Sequence, residues 1–126
     1  MESRLTWSTV FYVAPSGRAP AEEWLDGQDE EVQERAIALL QVLRGQGGRL
    51  GMPHAKHLRG KVWELRFQAR SGAYRLLYAA MSGQRILVLH GFRKATRETP
   101  QGKLRTAEVR LAEFERSDRT DRPKGR

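Results

Sequence analysis

Three apolar-rich segments crowd into residues 62–92, and their close spacing limits the fold more than any other feature of the chain. Residues 62–68 alternate, with Trp63, Leu65 and Phe67 on one side and Glu64, Arg66 and Gln68 on the other. That is the period of a strand with one buried face. Arg70-Ser71-Gly72 supplies a turn, residues 73–81 a second strand, Ser82-Gly83-Gln84 a hairpin connection and residues 85–92 a third strand. The alternation predicts that Trp63, Leu65 and Phe67 pack against helices while Arg66 points to the open face.

The flanking sequence supplies the helices. Residues 7–13, rich in aromatic and β-branched side chains, read as a first strand ended by Pro15-Ser16-Gly17. A short helix follows, with Pro20 in its first turn, Trp24 and Leu25 on its buried side and Asp26-Gly27 closing it. Asp29 is the expected N-cap of a longer helix over about residues 30–44, whose stripe is Val32, Ala36, Leu39, Leu40 and Leu43. Glu30, Glu31 and Glu34 favour the positive end of its dipole, and Gly45-Gln46-Gly47-Gly48 stops it. Thr99 and Pro100 open the last helix as N-cap and first-turn proline, with Leu104, Ala107, Leu111 and Phe114 inward. The order is β-α-α-β-β-β-α, an α+β fold with a mainly antiparallel sheet and its helices packed on one face. Residues 1–116 are read as one domain, and 117–126 as a basic tail without large apolar side chains, expected to be disordered.

Composition removes several functions. The chain has no cysteine, so neither disulfides nor thiolate chemistry is open to it. Met1-Glu2-Ser3-Arg4-Leu5 is not a basic stretch leading into an apolar run, and no segment approaches the roughly 20 apolar residues of a membrane helix. A cytoplasmic protein with no membrane partner is expected. The net charge of +8 is unevenly spread: residues 1–48 carry four basic and eight acidic side chains, residues 49–126 nineteen and seven. Clustered cations of this kind attract a polyanion through counterion release.

Arg66 and Arg75 flank one turn and are expected to approach each other across the ladder. With no equally placed acid the two guanidinium groups repel, and a phosphate held bidentately resolves the repulsion. A surface ion pair with Glu64 is the alternative. Further basic groups gather at the strand ends: His54, Lys56, His57, Arg59 and Lys61 before, His90, Arg93, Lys94 and Arg97 after. His90 and Phe92 share one side by alternation, and Lys94 continues that parity if the chain stays extended. Either ring stacks on a base, and an imidazole among cations can move a proton, although a satisfied, partly buried histidine is the plainer reading of His90. No Walker loop, zincin helix or strand-borne carboxylate pair is present, so neither a metal nor another cofactor is expected. A metal-independent nuclease points to RNA, which brings its own nucleophile in the 2′-hydroxyl.

The runs Lys56-His57-Leu58-Arg59-Gly60-Lys61-Val62-Trp63-Glu64-Leu65-Arg66, Tyr74-Arg75-Leu76-Leu77-Tyr78 and Leu89-His90-Gly91-Phe92-Arg93-Lys94-Ala95-Thr96, followed by Thr99-Pro100, resemble the RelE/ParE toxin superfamily. Specifically, they resemble its HigB-like, phage-derived branch. The resemblance implies a type II toxin–antitoxin toxin, an mRNA interferase that arrests translation by cleaving mRNA on the ribosome. It also implies a helix-turn-helix antitoxin that neutralises the toxin in a hetero-oligomeric complex. By the same resemblance Arg66 and Arg75 are the catalytic arginines, with Lys94 or His90 handling protons. Lys56, His57, Arg59, Lys61, Phe92 and Arg93 would hold the RNA. Ala95 and Glu98 stand where relatives often carry lysine. Two alternatives within the superfamily are a non-enzymatic, ParE-like gyrase inhibitor and a degenerate relative that only binds RNA or antitoxin.

Overall fold

Both expected hairpins form in the computed structural model of the protein, which describes residues 7–120. The elements are β1 (Ser8–Phe11), α1 (Pro20–Asp26), α2 (Glu30–Gly45), β2 (Ala55–Arg59), β3 (Val62–Ala69), β4 (Gly72–Met81), β5 (Arg85–Arg93) and α3 (Gln101–Thr120). The α+β class and RelE-like layout follow, with a five-stranded sheet in the order β1-β5-β4-β3-β2. Only β1 runs parallel to its neighbour, β5. The reversal between β4 and β5 places Gly83 and Gln84 at φ +81° and +59°, the left-handed region a tight turn demands. Asp29 caps α2, its carboxylate accepting the amide of Val32, a contact worth about 1 kcal/mol.

Two expectations are corrected. Residues 55–59, read as part of a loop, form a fifth strand paired antiparallel to β3, with Lys56 opposite Glu64 and His57 opposite Trp63. The helices, expected on one face, cover both. α1 and α2 bury Ala21, Leu25, Val32, Ala36, Leu40 and Leu43 against Leu65, Phe67, Tyr74, Leu76 and Tyr78. α3 buries Leu104, Ala107 and Leu111 on the opposite side, against Val62, Leu77, Ala79, Leu87 and Leu89. The reason lies in β4 and β5, whose apolar residues run without alternation and need cover on each face. Trp63, expected in the core beside Leu65, is 37% exposed.

Polar contacts fasten α3 along its length. Tyr12 donates its hydroxyl to Glu113, and Arg59 and Lys61 reach Glu108 and Glu115. Arg85 holds Asp118 through two bonds of 3.0 Å. That last pair carries the helix to Thr120, so residues 117–120 are helical and not part of a disordered tail. Residues 121–126, the rest of that expected tail, lie outside the described residues. On the other face Trp24 lies directly over Gly91, where a β-carbon would collide with its indole and with Leu76. The glycine after His90 thus lets α1 sit close to β5.

Candidate nucleic-acid interface

The β3–β4 register sets Arg66 directly opposite Arg75. Glu64 lies two residues before Arg66 on the same face, and its Oε1 is 3.7 Å from Arg66 Nε and 3.6 Å from Arg75 Nε. The expectation of two arginines lacking an equally placed acid is therefore corrected: Glu64 is that acid. It is also a buried partner, 3% exposed, and its second oxygen accepts the Thr99 hydroxyl. Thr99, expected to cap α3, turns its hydroxyl to Glu64 instead, and the Pro100 carbonyl accepts the amides of Lys103 and Leu104.

The two arginines are not equivalent. The Arg75 side chain is 7% exposed, with Nη1 donating to the Tyr74 carbonyl at 3.0 Å. Burial pulls its pKa below the ordinary arginine value, Glu64 opposes that shift and Arg66 adds to it. The Arg66 side chain is 27% exposed, and its second close neighbour is the Met52 sulfur. Arg66 is thus open to a ligand, while Arg75 forms the floor.

Space surrounds this trio on two sides. The segment leading into α3, from Arg93 to Pro100, lines a cavity of about 150 Å³ with Glu64, Arg75, Phe92 and Lys103. Arg75 and Arg66 also line a cleft of about 620 Å³ with Arg35, Pro53, His54 and Phe67. Arg35, Thr99 and Lys103 were not among the expected site residues. Arg35 belongs to the polar side of a helix, and only the tertiary fold carries it to this cleft.

Of the remaining expected residues, one group converges here. Phe92 is opposite Arg75 across the β4–β5 ladder, and Lys103 lies 5.2 Å over its ring. The Lys94 amide bonds the Ala73 carbonyl, extending the ladder by one residue, and Lys94 lines the smaller cavity. Lys56 is exposed on the edge strand opposite Glu64. His90 packs on Phe92 at 5.6 Å, and Arg110 Nη1 lies 3.3 Å from its Nδ1. Since a guanidinium only donates, Nδ1 accepts and the neutral ring carries its proton on Nε2. Burial, with Arg110 and Lys103 beside it, lowers the His90 pKa to about 4.

A second group is dispersed. His57 lies on the other face of β2, its ring 5.2 Å from Trp63 and its Nε2 bonded to the Gly60 carbonyl. Arg93 also alternates away from Phe92 and bonds the Ser71 carbonyl. Arg59 makes a two-pronged pair with Glu108, at 2.8 and 2.9 Å, and Lys61 meets Glu115 at 2.6 Å. Both cations are committed to α3.

An α+β arrangement with a five-stranded mixed, open sheet of this order is consistent with a RelE-like fold. The family described as phage-derived Gp49-like proteins matches residues 23–112, and the chain belongs to it. Members of that family are commonly toxins of toxin–antitoxin pairs, so an antitoxin is the partner class that membership implies. No curated protein matches the chain. Among the described residues no helix is long and apolar enough to cross a membrane.

Proposed function

We propose that the protein is an endoribonuclease toxin of the HigB-like branch, which cleaves mRNA in the cytoplasm, on the ribosome, without a metal ion. The observation that carries this reading is the Arg66–Glu64–Arg75 cluster, with one accessible and one buried guanidinium at the junction of two cavities. Arg66 takes the scissile phosphate, and its fork stabilises the charge that grows on the non-bridging oxygens. Arg75 backs it from the floor, and Glu64 holds the two in register. Lys56 and Arg35 bind flanking backbone, while Phe92, expected to stack on a base, is buried beneath Lys103 and only backs the smaller cavity.

The RNA 2′-hydroxyl attacks phosphorus and loses its proton to solvent. The P–O5′ bond breaks, and Lys94 supplies the proton that the leaving 5′-oxygen takes up. The products are a 2′,3′-cyclic phosphate and a 5′-hydroxyl. His90 is a positioning residue in this scheme: its Nδ1 is engaged by Arg110 and its ring is neutral at pH 7. A cognate helix-turn-helix antitoxin neutralises the toxin in a hetero-oligomeric complex. The test is induction without antitoxin, with 5′ ends of cellular mRNA mapped by primer extension beside a gyrase supercoiling assay. New mRNA ends with normal supercoiling are expected, and cleavage by purified protein should persist in EDTA. Intact transcripts with inhibited gyrase would replace this reading with the ParE-like one, and growth unaffected by induction with the degenerate one.

A further inference from the structure

Lys103 is a cation that the fold positions without giving it an acid. It stands in the first turn of α3, partly buried, with its ammonium 5.2 Å over the Phe92 ring. Sheet cations along the same helix are taken: Arg59 by Glu108, Lys61 by Glu115 and Arg85 by Asp118. No carboxylate lies within ion-pair distance of Lys103 among the described residues, and Glu64 is shared between Arg66 and Arg75. The contact with the ring holds the ammonium in place but leaves its N–H donors to other partners.

The space beside it is the cavity of about 150 Å³, which Arg75, Lys94 and Lys103 line together. Glu98 also lines it but is exposed and pairs with none of the three. That volume is well below the roughly 300–1,000 Å³ of small-molecule sites, so the cavity suits a compact anion and not a nucleoside. The segment carrying Lys103 is fixed at both ends, by the Thr99 hydroxyl on Glu64 and by Leu104 in the core. The neighbouring imidazole registers the charge, since Lys103 helps to hold His90 below its ordinary pKa.

We propose that Lys103 binds the RNA phosphate one nucleotide to the 3′ side of the scissile one, with Arg75 behind it in the smaller cavity. This rests on the reading of the protein as an RNA-cleaving toxin whose reacting phosphate is held by Arg66. The side follows from the chemistry: Lys94, which protonates the departing 5′-oxygen, borders this same cavity, so the departing nucleotide leads towards it. Its base stays outside, and the contact positions the strand without reading sequence.

Binding is measured by fluorescence anisotropy over a salt series, with the full chain and a labelled single-stranded RNA whose 2′-hydroxyls are methylated, leaving no nucleophile for cleavage. Each phosphate contact on a single strand adds about 0.7 to the slope of log affinity against log salt. Lys103→Met, which keeps an apolar stem over Phe92, should make the slope shallower by about that amount, and Lys103→Arg should restore it. Lys61→Met, whose ammonium is already held by Glu115, should leave the slope unchanged. Lys103→Gln replaces Lys103→Met if circular dichroism shows the latter misfolded. An unchanged slope in the folded variant, while wild type cleaves mRNA, overturns this assignment and leaves the proposed function standing. The position is read from cleavage of an RNA with one neutral methylphosphonate linkage 3′ of the cleaved bond. That linkage should lower kcat/KM of wild type about tenfold, the scale of one charge-assisted hydrogen bond, and lower that of Lys103→Met no further. Equal losses in the two proteins overturn the proposal, because a lysine that only supports Phe92 is indifferent to the charge on that linkage. A loss that depends on Lys103 only when the neutral linkage lies on the 5′ side overturns it as well. Wild type that neither binds nor cleaves RNA overturns both readings.

Discussion

Arg66 and Arg75 face each other across the β3–β4 ladder, and a single carboxylate oxygen of Glu64 lies within 3.7 Å of both. Like charges at directly opposed positions destabilise a sheet unless something lies between them. Here the intervening group is buried, so its removal strands a buried guanidinium.

Glu64→Gln should therefore cost about 3 kcal/mol, the scale for breaking a buried ion pair from one side. Chemical denaturation checks this. Because the same change frees Arg66 from its tether, RNA cleavage should fall more than the loss of folded protein explains.

His90 makes stability depend on pH. Its folded pKa of about 4 lies below its ordinary 6.5, so between those values the unfolded chain binds more protons. The contribution is complete above pH 6.5 and is lost as the pH falls towards 4. Screening at the partly open ring trims it to on the order of 2 kcal/mol. Urea titrations across this range should show the slope, and His90→Asn, which can still accept from Arg110, should flatten it.

Gly91→Ala should destabilise the protein by about 1–3 kcal/mol, because the added methyl meets the Trp24 ring and Leu76 in a packed core. Thermal melts measure the loss. Trp24→Leu in the same chain should recover part of it.

Arg59→Ala and Lys61→Ala test which cations act at the Arg66 cluster. Each is an exposed partner of α3, so stability should barely change. Cleavage of a short RNA spanning only the scissile phosphate should also persist in both, whereas Lys94→Ala should slow it sharply.

The fold was legible where local chemistry decides it. Asp29 and the stripe from Val32 to Leu43 specify α2, and Ser82-Gly83-Gln84 specifies a reversal. β2 was not legible, because Lys56-His57-Leu58-Arg59 has no β-branched or aromatic residue; its pairing comes from the β3 edge. The two-sided cover was written in the unbroken run Leu76-Leu77-Tyr78-Ala79, a signal that the alternation of β3 overshadowed. Within the site, alternation set Arg66 on the side away from Leu65 and paired His90 with Phe92, and the turn between β3 and β4 brought Arg75 opposite Arg66. The face expected to be open is the one α3 covers. Alternation could not reveal that Glu64 is buried between the arginines, nor that Arg59 and Lys61 are tied to α3. Those facts depend on where a distant helix lies.

The most direct measurement is the rate at which purified Arg66→Ala protein cleaves RNA beside wild type, with circular dichroism as the control for folding. Losing the accessible guanidinium should reduce the rate by about 10²-fold or more while the fold persists. A folded Arg66→Ala protein that cleaves the same RNA at the wild-type rate would contradict the assignment of this cluster as the reaction centre.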